Sequence, residues 1–152
     1  MISNHNSIWY SAQAFMFSPE WELLLEDNKK IWWKSLIWWK CETKKDGLSE
    51  SFDECIQREI KEETGLDFTH FWERVLGKEL QQVRIFPTWK WISQYYVMLL
   101  TKEEVYHILK LINNWAPLDF YSLSSLRSIN NSPIPKDEFI SLVQQAYDKL
   151  WI

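Results

Sequence analysis

Apolar and polar positions change their period several times along the chain, and each change marks an element. Residues 8–17 (IWYSAQAFMF) set Trp9, Phe15 and Met16 among small and polar neighbours, the pattern of a strand. Leu23, Leu24 and Leu25 lie between Glu22 and Glu26, as expected of a short buried strand. Residues 31–39 (IWWKSLIWW) are dense in aromatic and β-branched side chains, which suit a pleated surface. A polar stretch from Glu42 to Glu50 follows, with Asp46-Gly47 as its turn signal. Further strands are predicted near residues 81–86 and over 92–100.

The helices announce themselves by their caps. Ser51 with Glu54 three residues on is a capping box, and Gly65 is a natural stop after Thr64. Thr101 with Glu104 repeats the signature, and behind it Val105, Ile108, Leu109 and Ile112 keep a helical spacing. A last helix is predicted after Pro135, with Phe139, Leu142, Val143, Ala146 and Leu150 on one face. Strands interleaved with helices, with no internal repeat or linker, predict an α/β (α+β) sandwich over residues 1–152 as one domain.

Composition narrows the class. With 152 residues, the chain can bury about 70% of the surface it exposes when unfolded, so it needs no disulfide or structural metal to fold. Its net charge of -4 gives no footprint for a nucleic-acid coat or a membrane surface. Cys41 and Cys55 are too few for a disulfide framework and lack zinc-ligand spacing. No Lys or Arg precedes Lys29, and residues 1–19 are too interrupted by polar side chains to span a membrane. A reduced, cytoplasmic protein without a membrane segment is expected. Two oddities stand out: 11 tryptophans, several in pairs (Trp32-Trp33, Trp38-Trp39), and only three glycines.

The chemistry lies in residues 58–66, REIKEETGL. At about 100° per residue, Phe52, Cys55, Ile56 and Ile60 define the apolar side of the helix. Glu59 and Glu63, one turn apart, fall inside that same arc, and Glu62 lies at its margin, while Glu54, Gln57 and Lys61 point outward. Most acidic runs on helices are solvated surface. Carboxylates on a core-facing stripe are costly unless they are paired or bound to a cation. Three acids near a helix C-terminus also oppose its dipole. A divalent cation offsets both penalties, and hard oxygen ligands suit Mg²⁺ or Mn²⁺.

The same residues resemble the Nudix box: a glycine, five residues, a glutamate, seven residues, then Arg-Glu-apolar-x-Glu-Glu-x-Gly-apolar. Arg58, Glu59, Ile60, Glu62, Glu63, Gly65 and Leu66 match its second half at every specified position, and Glu50 stands where the isolated glutamate is required. Trp39 occupies the place of an aromatic that precedes the family's Pro-Gly-Gly loop. Leu23–Leu25 resembles its paired-leucine strand, and Asp119-Phe120-Tyr121-Ser122-Leu123 its acidic-aromatic-x-Ser-Leu strand. The departure lies in the loop, where Thr43 and Lys44 replace glycines and Gly47 is the nearest remaining one. In the family a backbone carbonyl from that loop helps to ligate metal, and any residue owns a carbonyl.

The resemblance implies a Nudix-type α/β/α sandwich with a mixed β-sheet between helices. It also implies a Mg²⁺- or Mn²⁺-dependent pyrophosphohydrolase of nucleoside diphosphate derivatives. Glu59 and Glu63 would be the main metal ligands, and Glu62 a further ligand or the base that orients water. Arg58 would pair with Glu50 to brace the loop, and Asp119 is the candidate downstream acid. For substrate, Trp39, Phe86, Trp89 and Trp91 offer stacking faces, and Lys44, Lys45, Arg84 and Lys90 could meet phosphates. His5, His70 and His107 are read as structural or exposed. The alternatives are a catalytically impaired Nudix-fold module binding a nucleotide or a protein, and an RNA-end hydrolase, which net acidity does not favour. The aromatic surplus leaves room for a homodimer interface.

Overall fold

The computed structural model describes residues 7–27, 34–35, 37–41, 50–68, 71–77, 81–128 and 136–148. In chain order its elements are β1 (Ser7–Phe17), β2 (Glu22–Asp27), β3 (Lys34–Ser35), β4 (Ile37–Lys40), α1 (Phe52–Thr64), α2 (Phe71–Arg74) and β5 (Val75–Gly77). Then come β6 (Gln81–Ile85), β7 (Trp89–Leu99), α3 (Lys102–Asn113), β8 (Leu118–Ser122), a 3-10 helix (Leu123–Ser128) and α4 (Lys136–Asp148).

The long strands β1 and β7 run parallel in unbroken register, from Ser7 opposite Trp89 to Phe17 opposite Leu99. Every other pairing is antiparallel: β2 and β4 on β1, β3 and β8 on β2, β5 and β6 on β7. Together they make one mixed sheet of eight strands among the described residues.

Side-chain alternation then sorts the residues between two layers. Ala12, Ala14 and Met16 of β1, Leu24 of β2, and Tyr96 and Met98 of β7 face one way. They pack against Cys55, Ile56 and Ile60 of α1, Ile108 of α3, and Phe68 and Phe71. Phe15, Phe17, Leu23, Leu25, Tyr95 and Val97 face the other way, onto Phe139, Leu142, Val143 and Ala146 of α4 and onto Leu126. The result is the α/β/α sandwich with a mixed sheet that the sequence predicts.

Helix α1 starts and stops where its caps dictate. Ser51 Oγ accepts the Glu54 N–H at 3.1 Å, and Glu54 Oε1 accepts the Ser51 N–H at 3.0 Å. Gly65 takes a φ of 75°, a left-handed conformation that glycine adopts without steric cost, and its N–H donates to the Lys61 carbonyl at 2.8 Å. The Thr101–Glu104 box is likewise closed at the start of α3. Leu150, counted on the apolar face of the last helix, lies outside the described residues. Unpredicted are α2 and β5, which are four and three residues long and too short to show a period. The strand expected over 92–100 begins earlier, at Trp89, because β1 pairs with it along its whole length.

Candidate active site

The face that α1 turns to the sheet carries its acids. Glu59 is buried, with a relative exposure of 2%, one turn after Cys55 and just before Ile60, both core residues. Glu63 is half-buried one turn further on, and Glu62 lies outside with a side chain 55% exposed. The helical phase read from the sequence therefore holds: Glu59 and Glu63 share the inner arc and Glu62 marks its margin.

Arg58 gathers the acids around it. Its Nε donates to Glu50 Oε2 at 2.8 Å and its Nη2 to Glu50 Oε1 at 3.0 Å, a two-pronged bond to the residue just before the helix cap. Its Nη1 donates to Glu59 Oε1 at 2.6 Å and reaches Glu62 Oε1 at 3.2 Å. The Glu50 bond, above all, holds the guanidinium protonated beyond its ordinary range. The bracing pair expected from the sequence is in place.

A further acid faces this cluster from the sheet. Glu26, at the end of β2, shares the alternation of Leu24 and so points toward α1, not α4. Its Oε1 is buried with no hydrogen-bond partner among the described residues. Burial, and then the charges of Glu63 and Glu59, push its carboxyl up to about 8. Burial pushes Glu59 up to about 7 even against the pull of Arg58, with Glu62 and Glu63 adding to the rise. Burial and Glu62 raise Glu63 as well. These carboxylates crowd one another in a place from which water is partly removed.

Sequence reasoning passed over Glu26 because it closes a leucine run and reads as a strand-end charge. The period of two, counted from Leu24, was the signal that could have found it. Asp119 has the opposite parity. It pairs with Leu25 between Leu118 and Phe120, which pack on the α1 side, so it lies on the α4 face. Its Oδ1 accepts the N–H of Phe120 at 2.8 Å. The structure does not bring it to the α1 acids.

The aromatic candidates also lie apart. Trp89 and Trp91 share the parity of Tyr95 and Val97, so the sheet separates them from the acids. Phe86 stacks on Trp89 with centroids 4.2 Å apart, and Trp9 leans on Trp89 at 5.4 Å. Trp91 Nε1 donates to Ser11 Oγ at 2.7 Å, and Ser11 shares a hydroxyl hydrogen bond with Ser93 at 2.8 Å. Trp39 stands opposite Ala12 and Arg84 opposite Trp91 by backbone register, but their side chains lie outside the described residues. So do Thr43, Lys44, Lys45 and Gly47 of the loop, and His5 and His70. His107 has a structural partner: its Nε2 donates to the Thr64 carbonyl, 2.8 Å away, at the end of α1.

No protein-family model matches the sequence, and no curated protein matches it. Solved structures do match the fold. A C. elegans Ap4A hydrolase is similar over 95% of this chain and 99% of its own, with a TM-score of 0.63 and 11% identity. A MutT protein from Methanosarcina mazei Go1 is similar over 95% and 96%, with a TM-score of 0.59 and 15% identity. Shewanella oneidensis NrtR, in complex with a 27mer DNA, is similar over 93% of this chain and 61% of its own, with a TM-score of 0.59 and 12% identity. The fold is therefore that of the Nudix and MutT proteins. Among the described residues, no helix is long and apolar enough to cross a membrane.

Among the described residues no three His, Cys, Asp or Glu side chains converge on one point as placed, and Glu59 is engaged by Arg58. The chemistry of the set nonetheless fits a hard divalent cation. All the donors are carboxylate oxygens, the Glu26 Oε1 is buried and unpartnered, and the acids raise one another's pKa values as a shared positive charge would reverse.

Proposed function

We propose that this chain, as one Nudix domain, is a divalent-metal-dependent pyrophosphohydrolase that cleaves a nucleoside diphosphate linked to another moiety. One observation carries the reading: Arg58 locks Glu50 to a helix whose next residues, Glu59 and Glu63, turn carboxylates toward the sheet. The fold supports it. Glu59, Glu62 and Glu63 would hold Mg²⁺ or Mn²⁺, with a backbone carbonyl at Thr43 or Lys44 beside them. A bound cation would supply neutralising charge to the diphosphate and lower the pKa of the attacking water.

The chain's own part is orientation and proton transfer. Arg58 fixes the carboxylates of Glu59 and Glu62 against the loop end at Glu50. Glu62, the exposed acid, would serve either as a further ligand or as the base that accepts the proton of water as it attacks phosphorus. Direct attack by water requires no covalent intermediate. Lys44 and Lys45 are assigned to the phosphates and Trp39, opposite Ala12 of the α1 layer, to the base; the Phe86–Trp89 stack and Arg84, on the other face of the sheet, are not.

A second reading, a catalytically impaired Nudix-fold module, is favoured by Thr43 and Lys44 in place of the loop glycines. The experiment that separates the two readings incubates the protein with Mg²⁺ or Mn²⁺ and a panel of substrates. The panel holds nucleoside triphosphates, dinucleoside polyphosphates, ADP-ribose, nucleotide sugars, dinucleotide coenzymes and capped RNA. Turnover of one class, reduced at least about 100-fold in Glu63→Gln, is the expected result. A folded protein that hydrolyses none of them is the impaired module.

A further inference from the structure

From the placement of Glu26 we infer that β2 supplies an additional carboxylate ligand to the cation held by α1, so that the metal is gripped between helix and sheet. The inference rests on the metal-dependent reading above and deepens it. Nothing in the motif of α1 requires an acid on β2, and the observations that point to one are local to this chain.

The first is the orphaned oxygen. Glu26 Oε1 is buried without a hydrogen-bond partner among the described residues, whereas buried polar atoms in folded proteins are satisfied in the large majority of cases. Such an acid stays neutral while it holds its proton, and once ionised it is stable there only beside a positive charge. The second is direction. Leu24 packs against the α1 layer, and two residues on in an unbroken strand Glu26 points the same way, directly opposite Leu118 of β8, which belongs to that layer too. The third is company. Glu63 and Glu59 lie close enough for their charges to act on Glu26. Arg58 engages Glu59 and Glu62. The cation that would balance Glu26 is thus the one shared with Glu59 and Glu63.

An extra anionic ligand deepens a hard-cation site, because affinity follows the charge and number of oxygen ligands. Glu26→Gln keeps the shape and removes the charge. Manganese binding to wild type and variant, followed by the loss of the free Mn²⁺ signal in electron paramagnetic resonance, tests the inference without reference to turnover. The expected result is about a tenfold or greater loss of Mn²⁺ affinity in Glu26→Gln. Alongside it, the melting temperature of the variant in chelator should be equal to or above that of wild type, because a repelling charge has gone. Unchanged affinity in the variant overturns the role of Glu26 while leaving the metal site standing. Wild type that fails to bind Mn²⁺ overturns the metal-dependent reading itself. Glu26→Asp, which keeps the charge but retracts it by one methylene, should bind more tightly than Glu26→Gln. If both variants lose their fold in chelator, Glu26 is a structural residue and the inference falls.

Discussion

Arg58 shows how one side chain can tie a loop to a helix. An exposed ion pair is worth about 0–1 kcal/mol, because water screens it and its side chains lose freedom. Here the side chains of Glu50 and Glu59 are 10% and 3% exposed and that of Arg58 is 23% exposed, so removing the guanidinium leaves two poorly hydrated carboxylates. Arg58→Gln should therefore cost about 1–3 kcal/mol in urea unfolding. Arg58→Lys should recover little of it, since an ammonium cannot match the paired Nε and Nη2 bonds to Glu50. A loss below about 0.5 kcal/mol for Arg58→Gln would reduce the arrangement to an ordinary surface pair. At this scale the sequence revealed Glu50, Arg58, Glu59, Glu62 and Glu63, because fixed helical spacing translates directly into direction. It did not reveal Glu26, nor that Asp119 faces away. Direction on a strand depends on parity from a known buried neighbour, and three consecutive leucines conceal which of them faces which layer.

Among the elements, α1 was legible from end to end because both of its termini are written in local chemistry. The side chains that close the capping box and the left-handed Gly65 need no tertiary contact to specify them. The strands at β1, β2, β7 and β4 were legible as elements, but not the way they pair. Only the register shows that β1 and β7 run parallel, since long-range pairing leaves no mark in either strand alone. Nor could α2 and β5 be read, because β5 joins the sheet at just Val75 and Gly77, with an irregularity between them. The cap of α1 makes a prediction at its own scale. Ser51→Ala should destabilise the protein by about 1 kcal/mol. It should also weaken any Mn²⁺ binding, because fraying the first turn loosens Glu50, the residue before the cap, on Arg58. Thr101→Ala at the matching box of α3 should cost a similar amount of stability and leave Mn²⁺ binding unchanged. Equal effects of the two substitutions on Mn²⁺ would mean that the cap of α1 serves the helix alone.

For the whole molecule, the acids lie between a helix and the central sheet, so their protonation is coupled to global stability. An unfolded glutamate titrates near 4.5, whereas Glu59 and Glu26 are raised to about 7 and about 8 in the folded chain. Between those limits the folded state keeps protons that the unfolded state has released, so the stability these groups contribute is full below about 4.5 and falls as pH rises to about 8. Because the acids interact, the loss should appear as one broad coupled step and not as separate titrations. Glu104 works the other way. Its carboxyl is lowered by hydrogen bonds from Arg74 and Thr101 that outweigh its burial, so its contribution is lost only below the ordinary carboxylate range, outside this window. In chelator, the melting temperature should therefore decline between pH 5.5 and pH 8.5, and the decline should flatten in Glu26→Gln. Saturating Mn²⁺ competes with those protons, so it should raise the melting temperature more at pH 8.5 than at pH 5.5. A flat profile in chelator, with no gain from Mn²⁺ at the higher pH, would mean that these carboxylates are balanced from within the chain and that the interior between α1 and β2 is not built for a cation.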